Sequence, residues 1–220
     1  PGASIVCTGF DRPNLHFAVQ RTRDKDRSLL EFLRKHDKQC GVIYCATRSK
    51  VESVTQQLQR HGFKALRYHA GLTPEERRNN QNAFVGGMVP LIVATNAFGM
   101  GIDKADVRFV VHYNMPKDVE SYYQEAGRAG RDGLESECLL LYDKADIAVN
   151  TYLIGHDQPD LAWKAHEMEL LQRMTFYCNT SGCLRRVLLE YFGEKAPAKC
   201  NHCGNCDANK NASWRRFLDL

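Results

Sequence analysis

The sequence predicts an α/β fold, in which helices flank a parallel sheet, followed by a small helical domain that holds a metal ion. Between about residues 40 and 142, short β-branched runs alternate with helix-like segments, and this alternation is typical of βαβ units. The alternation stops after Tyr142, and four of the nine cysteines lie in the last forty residues. Together these observations indicate a larger sheet domain and a smaller cysteine-rich domain.

Five short runs are the predicted strands because each is rich in apolar and β-branched side chains. They are Val42–Ala46, Ala65–His69, Leu91–Thr95, Arg108–Tyr113 and Cys138–Tyr142. Right-handed crossovers would bring the carboxyl ends of these strands to one edge of the sheet. Ligands bind along that edge in open sheets of this kind.

Helix signals lie before and between these strands. Apolar residues recur at helical spacing, and residues that favour the start of a helix come just before them. In chain order the markers are Leu29, Leu30 and Leu33; Ser49 as a cap before Val51, Val54 and Leu58; Thr73-Pro74-Glu75-Glu76; and Asp118 before Val119, Tyr122 and Tyr123.

The region after Tyr142 has a different character. Residues 143–155 are either a helix or a linker, and residues 155–159 contain turn formers. Residues 161–178 and 184–192 have helical patterns. We place the domain boundary near residue 150, which gives a sheet domain, residues 1–150, and a helical metal-binding domain, residues 151–220.

The composition is that of an ordinary globular protein, with 43% hydrophobic residues, 25% charged residues and a net charge of +4. This charge permits a nucleic-acid partner but does not by itself indicate one. The apolar runs are too short for a membrane span of about 20 residues, and no signal peptide opens the chain. The odd number of cysteines therefore favours a reducing cytoplasm and one metal site over a disulfide framework.

A structural zinc site is predicted by the pattern Cys183-x16-Cys200-x2-Cys203-x2-Cys206. Four thiolates suit tetrahedral Zn²⁺, and two-residue gaps let a tight turn present neighbouring sulfurs to one ion. Because the protein would fill all four positions, none stays open for catalysis. Cys178 and His202 are possible substitute ligands, but we expect Cys178 to pack in a helix pair and His202 to be exposed.

Residues 124–133 read Gln-Glu-Ala-Gly-Arg-Ala-Gly-Arg-Asp-Gly. Arg128 and Arg131 stand three residues apart and lie on one face if this segment is a helix. Gly127 and Gly130 would each cost a helix interior about 1 kcal/mol relative to alanine, so they imply close approach of a backbone or a ligand. Two guanidinium groups between small residues suit phosphate binding. A solvated arginine pair beside acidic neighbours is an equal alternative on spacing alone.

The strand predicted at Leu91–Thr95 runs into a polar loop. Thr95 and Asn96 offer a hydroxyl and an amide, and glycines 99 and 101 expose backbone N–H groups, so the loop could hold a phosphate or a nucleic-acid backbone. Asp103 either positions an arginine or caps a turn. The dinucleotide fingerprint is absent, which argues against a Rossmann-type enzyme of small molecules, and so is the phosphate loop GxxxxGKS or GxxxxGKT.

Five motifs and the four cysteines follow one another along nearly the whole chain. The motifs are Phe10-Asp-Arg-Pro-Asn14, Val42-Ile-Tyr-Cys45, Tyr68-His-Ala-Gly-Leu72, Val93 to Lys104 and Tyr122 to Gly133. Together they resemble a RecQ-family DNA helicase of the bacterial type. The resemblance implies a RecA-like helicase C-terminal domain of the P-loop NTPase type and a helical zinc-binding domain. It further implies ATP- and Mg²⁺-driven 3′-to-5′ unwinding of DNA, including duplex junctions, in repair and recombination by a cytoplasmic, nucleoid-associated protein.

The resemblance also implies roles for individual residues. Gln124, Arg128 and Arg131 match the sixth helicase motif, with Arg131 as the arginine finger at the ATP site and Arg128 as its companion. Gly101 and Asp103 match the nucleotide-coupled part of the fifth motif. The residues that would border the DNA track are Thr47, Arg48, His69, Gly71, Thr95 and Asn96. The cysteines match the zinc ligands of the family in identity and spacing.

This sequence lacks the first motor domain of the family, which carries the phosphate loop and the acidic Mg²⁺ box. Ala105 stands where the family often has proline. The chain therefore resembles a fragment that works with an N-terminal RecA-like domain in cis, and we expect it to be inactive alone. The alternative is a non-catalytic, zinc-bearing module that binds nucleic acid.

Overall fold

The computed structural model describes residues 9–99, 104–157 and 160–209. Within these ranges, six parallel strands form one sheet in the order β1-β6-β5-β2-β4-β3. The elements in chain order are β1 (Leu15–Arg21), α1 (Lys25–Lys35), β2 (Gly41–Tyr44), α2 (Arg48–Arg60), β3 (Ala65–Tyr68), α3 (Pro74–Val85), β4 (Leu91–Ala94), β5 (Phe109–His112), α4 (Val119–Ala126), β6 (Ser136–Tyr142), α5 (Ala145–Asp157), α6 (Leu161–Asn179) and α7 (Leu184–Tyr191).

The predicted fold class is confirmed, and each of the five predicted strands forms. The sixth strand, β1, is absent from the prediction. It pairs with β6 at one side of the sheet, and its burial alternates at Leu15, His16 and Phe17 before it becomes exposed at its end. The missed signal is therefore the apolar–polar alternation of a half-buried strand, rather than the continuous apolar run of a central one.

The helix starts follow capping chemistry. Thr73 and Asp118 cap α3 and α4 as predicted, because each side chain accepts the backbone N–H three residues ahead. The predicted cap of α2, Ser49, is wrong. Thr47 takes that role because it has extended backbone angles and its hydroxyl accepts the Lys50 N–H at 3.2 Å.

The segment that the sequence left open between helix and linker is α5, and residue 150 lies inside it. A boundary at the start of α5 would leave this helix whole. The position of the boundary near residue 150 stays a prediction.

The core lies on both faces of the sheet, since successive strand residues point to opposite sides. On one face, Ile43, Val93 and Val111 pack against the apolar residues of α1 and α2. On the other face, the alternate residues of the same strands pack with Tyr122 of α4 and with the apolar side of α6 and α7. Tyr177 of α6 is fully buried there, so the helical region shares its core with the sheet.

The cysteine-rich segment lies against β1. The backbone of Cys203 forms a parallel bridge with Phe17, and a Cβ on Gly204 would lie 3.3 Å from the Cβ of Ala18. At the opposite side of the sheet, the Asn80 side chain of α3 donates to the backbone oxygen of Arg67 in β3 at 2.9 Å. Among the described residues, no helix is long and apolar enough to span a membrane.

Candidate functional site

The structure brings Cys183, Cys200, Cys203 and Cys206 together, with the four sulfurs within 4.8 Å of one another. The Sγ atoms of Cys200 and Cys206 are 4.0 Å apart, and so are those of Cys183 and Cys203. Tetrahedral zinc with Zn–S bonds of about 2.3 Å places its sulfurs about 3.8 Å apart. The four thiols therefore fit a zinc ion with little movement.

Backbone N–H groups already point at these sulfurs. Cys183 Sγ accepts from the N–H groups of Arg186 at 3.5 Å and Cys200 at 3.4 Å, and Cys200 Sγ accepts from His202 at 3.3 Å. Such donors stabilise negative charge on sulfur, and zinc binds the thiolate form. Because Cys183 also caps α7, a metal here would join that helix to the cysteine-rich loop.

The two possible substitute ligands lie outside this cluster. Cys178 is buried in the core as expected, and burial raises the pKa of its thiol, so it behaves as a packed residue. His202 is half-buried rather than exposed, because its ring lies 3.1 Å from a Glu135 carboxylate oxygen and edge-on to the ring of His16. Its backbone N–H, not its ring, contacts the cysteine cluster through the bond to Cys200 Sγ.

Arg128 and Arg131 do not lie on a helix. α4 ends at Ala126, Gly127 caps it, and residues 127–134 form a series of turns that we call the arginine turn. Arg128 Nη1 donates to the backbone oxygen of Gly99 at 2.7 Å, whereas Arg131 is exposed. The arginine turn thus presents its two guanidinium groups in different settings, one held by the β4 loop and one at the surface.

Two glycines make this packing possible. Gly130 has a φ of +55° and a Cβ there would overlap the Asn14 side chain, so the close approach expected from the sequence is present. Gly99 has a φ of +148°, and a Cβ there would overlap the Arg128 guanidinium. Gly101 and Asp103, the other predicted nucleotide-side residues of this loop, lie outside the described residues.

The predicted DNA-side residues lie where β2, β3 and β4 end. Thr47 and Thr95 have structural bonds, the first as the α2 cap and the second to the N–H of Ala97 at 3.4 Å. Arg48 and Asn96 are exposed. A Cβ on Gly71 would lie 3.3 Å from Arg48 Cδ, so the loops after β2 and β3 are close together although β4 lies between the two strands.

His69 belongs to the same loops but is buried. Its Nε2 lies 2.8 Å from a Glu52 oxygen, and its Nδ1 accepts the Gly71 N–H at 3.2 Å. The same Glu52 carboxylate binds Arg67 at 2.7 Å, and these partners hold the pKa of Glu52 below its usual range against the opposing effect of burial. The described contacts of His69 therefore hold the loop after β3 in shape.

A pocket of about 230 Å³ opens beside the ends of β2 and β5, and no sequence pattern indicates it. Its floor includes His112, whose Nε2 lies 2.9 Å from Glu125 of α4. Lys117 on its rim donates to Glu167 of α6 at 2.7 Å. These pairs join residues from separate elements, and spacing along the chain cannot reveal them.

Comparison with known proteins assigns both halves of the chain. The family described as helicase conserved C-terminal domain matches residues 24–133, and the family described as RecQ zinc-binding matches residues 144–207. The chain is 45% identical over 209 residues to the ATP-dependent DNA helicase RecQ of Bacillus subtilis, and 41% identical over 202 residues to that of Pasteurella multocida. A relative from Acanthamoeba polyphaga mimivirus, 39% identical over 204 residues, is named as an RNA helicase.

The matches and the geometry define the class as a helicase C-terminal domain joined to a zinc-binding domain. The chain belongs to the RecQ family of helicases. The three alignments cover 95%, 92% and 91% of this chain, but 35%, 32% and 37% of the relatives. The chain therefore spans about a third of the length of the curated relatives it matches.

Proposed function

We propose that the chain is the arginine-donating half of an ATP-driven motor that unwinds DNA in the 3′-to-5′ direction. The observation that carries this proposal is the arginine turn. Arg128 is fixed on the Gly99 backbone, and Arg131 is exposed on the same turn. A guanidinium held in this way is suited to a phosphate group presented by a facing domain.

The nucleotide and Mg²⁺ would be held mainly by a facing RecA-like domain with a phosphate loop, since this sequence has none. In the closed state Arg131 would contact the transferring phosphoryl group, Arg128 would lie beside it, and the exposed Gln124 would complete the nucleotide-facing surface. An arginine finger stabilises the charge of the transition state and contributes ~10³–10⁵ in rate.

DNA would pass over the loops at the ends of β2, β3 and β4. Support comes from the exposed side chains of Arg48 and Asn96, from Thr47, Thr95 and Gly71 beside them, and from the positive end of the α2 helix dipole. Such contacts reach the phosphate backbone and carry no base sequence. We therefore expect binding that weakens steeply with salt.

Zinc would occupy the four-cysteine cluster as a structural ion, because the four thiolates complete its coordination. The boundary between the two domains near residue 150 and association with the nucleoid are further parts of this proposal. The latter follows from DNA binding.

The proposal is tested with a chimera in which this chain replaces the matching 209-residue segment of the Bacillus subtilis relative. ATP hydrolysis is measured with single-stranded DNA, with RNA of the same sequence and without nucleic acid. We expect no turnover from the chain alone, and DNA-stimulated turnover from the chimera. A chimera that binds zinc and ATP but never hydrolyses ATP would favour the non-catalytic binding module. Greater stimulation by RNA would reassign the substrate.

Replacing Arg131 in the chimera tests the finger directly. We expect Arg131→Ala to lower kcat by ~10³-fold or more, with the affinity for ATP nearly unchanged, because the guanidinium acts in the transition state. Arg34→Ala, an exposed arginine in the last turn of α1, is the control and should leave kcat unchanged. A loss of ATP affinity with unchanged kcat would contradict the finger role.

A further inference from the structure

Residues 11–14, just before β1, hold the arginine turn through side-chain hydrogen bonds to its backbone; we call this set of contacts the grip. Arg12 Nη2 donates to the backbone oxygens of Gly130 at 2.9 Å and Ala129 at 3.2 Å, and its Nη1 donates to that of Gly127 at 3.4 Å. Asn14 Nδ2 adds bonds to the oxygens of Gly130 at 2.8 Å and Leu134 at 3.0 Å. Two side chains thus bind the backbone on both sides of Arg128 and just before Arg131.

The guanidinium is suited to this task. Carbonyl groups in an irregular turn lack the regular partners that a helix or a sheet supplies, and the planar fork of an arginine can bond several acceptors in a fixed geometry. Among the described residues, no carboxylate lies within ion-pair distance of Arg12. Its side chain is therefore committed to the turn and not to an acidic neighbour.

The gripping segment is itself anchored on the cysteine-rich side. Arg185 of α7 donates to Asp11 Oδ1 at 2.5 Å and to the backbone oxygen of Arg12 at 2.7 Å, and also reaches the oxygens of Pro13 and Leu15. Its side chain is only 7% exposed. Arg185 lies two residues after Cys183, so a short path of contacts leads from the metal cluster to the arginine turn.

We infer that Arg12 is a positioning residue, which sets the arginine turn so that Arg131 meets the transferring phosphoryl group. The inference rests on the proposed function for its effect on turnover, but the grip itself can be measured without any activity. A misplaced group of this kind costs up to ~10²-fold in rate although it touches no substrate.

The grip is tested by hydrogen–deuterium exchange on this chain. We expect Arg12→Gln to speed exchange of the amides in residues 127–134, because a glutamine side chain cannot bond three separate carbonyl groups. Arg12→Lys keeps the charge and should speed exchange there too. Arg21→Gln is the matched control, since Arg21 donates to a single backbone oxygen, that of Cys178, at 3.3 Å. Unchanged exchange in both Arg12 variants would overturn the inference.

The positioning role is tested by kinetics in the chimera. Arg12→Gln should lower kcat by at least ~10-fold with KM for ATP within ~2-fold, and Arg21→Gln should change neither. Added to Arg131→Ala, Arg12→Gln should cost nothing further, because both variants remove the same contribution. A full additional loss in the double variant, or equal changes in KM and kcat, would overturn the role.

The two tests separate this inference from the proposed function. If Arg131→Ala leaves turnover unchanged, the finger assignment fails, and the exchange experiment still decides whether Arg12 holds the turn. If Arg131→Ala abolishes turnover but Arg12→Gln does not, the finger stands and the positioning role is wrong.

Discussion

At the residue scale, the contact between Gly99 and Arg128 depends on the absence of a side chain. Gly99 has a φ of +148°, and a Cβ would overlap the guanidinium that its own carbonyl group accepts from. Any other residue must move either the loop after β4 or the arginine turn. The glycine is thus part of the arrangement that places Arg128.

We expect Gly99→Ala to lower kcat of the chimera by about 10-fold or more, since displaced catalytic groups are costly. The control is Gly62→Ala, which shares a positive φ of +84° but has open space around it. Both variants should lose about 1 kcal/mol of stability to backbone strain, which denaturant unfolding measures. Equal turnover in the two variants would show that the contact with Arg128 is dispensable.

The candidate site was predictable where its chemistry is local. The clustering of the cysteines was predictable because Cys200, Cys203 and Cys206 lie on one tight loop, and their spacing in the sequence indicates this. The contacts of Arg12 and His112 were not predictable. The partners of Arg12 are more than 100 residues away along the chain, and the partner of His112, Glu125, lies on another element. Spacing carries no information on such contacts.

At the element scale, capping chemistry decided the helix starts, and the contacts of one helix end predict a response to pH. His36 is the C-cap of α1. Its Nδ1 bonds the Phe32 oxygen, and its Nε2 lies 3.2 Å from Glu137 at the start of β6. The bond to Glu137 raises the pKa of His36, and the same bond lowers the pKa of Glu137. A cation here also suits the negative end of the helix dipole.

The signs of these shifts define a pH window. The raised pKa of His36 stabilises the fold fully below about pH 6.5, and this is lost as pH rises through the folded pKa. The lowered pKa of Glu137 stabilises the fold above about pH 4.3 and is lost as pH falls. The pair therefore contributes most at about pH 5–6.

We expect His36→Gln to lower the free energy of unfolding by up to about 1 kcal/mol at pH 6, and by less at pH 8. Denaturant unfolding at both values measures the difference. His61→Gln is the control, because His61 also ends a helix and bonds a backbone oxygen four residues back. An equal effect of His36→Gln at the two pH values would contradict the proposed pairing.

The elements also show which strands and helix caps the pattern of the sequence can predict. The central strands were predictable because both their faces are buried, as the full burial of β2, β4 and β5 shows. β1 escaped prediction because its polar residues interrupt the run. Ser49 was predicted to cap α2, but Thr47 does so, because the backbone angles decide which hydroxyl residue becomes the cap and the sequence does not specify these angles.

At the scale of the whole molecule, the cysteine cluster connects the two halves. Its first cysteine, Cys183, caps α7, and Cys203 lies beside β1. Arg185, two residues after Cys183, binds the segment that precedes β1. The cluster therefore contributes to the stability of the sheet domain as well as of the helical domain.

We expect Cys203→Ser to remove the bound zinc, about one ion per chain, and to lower the melting temperature of the whole chain, because metal binding and folding are coupled. Cys178→Ser is the control. It places a hydroxyl in the same buried core, so it should lose about 1–3 kcal/mol of stability while zinc content stays the same. Atomic emission and thermal unfolding measure both, and unchanged zinc in Cys203→Ser would refute the site.

The bridge between Phe17 and Cys203 links metal binding to the protection of a sheet edge against aggregation. A sheet edge is a template on which another chain can add a strand. Here Cys203 of the cysteine loop bridges β1 at Phe17, and the Asn80 amide bonds one backbone oxygen of β3. Oxidation or chelation at the cysteines would uncover a seven-residue strand, Leu15–Arg21. We therefore expect the metal-free chain to aggregate more readily than the zinc-bound chain.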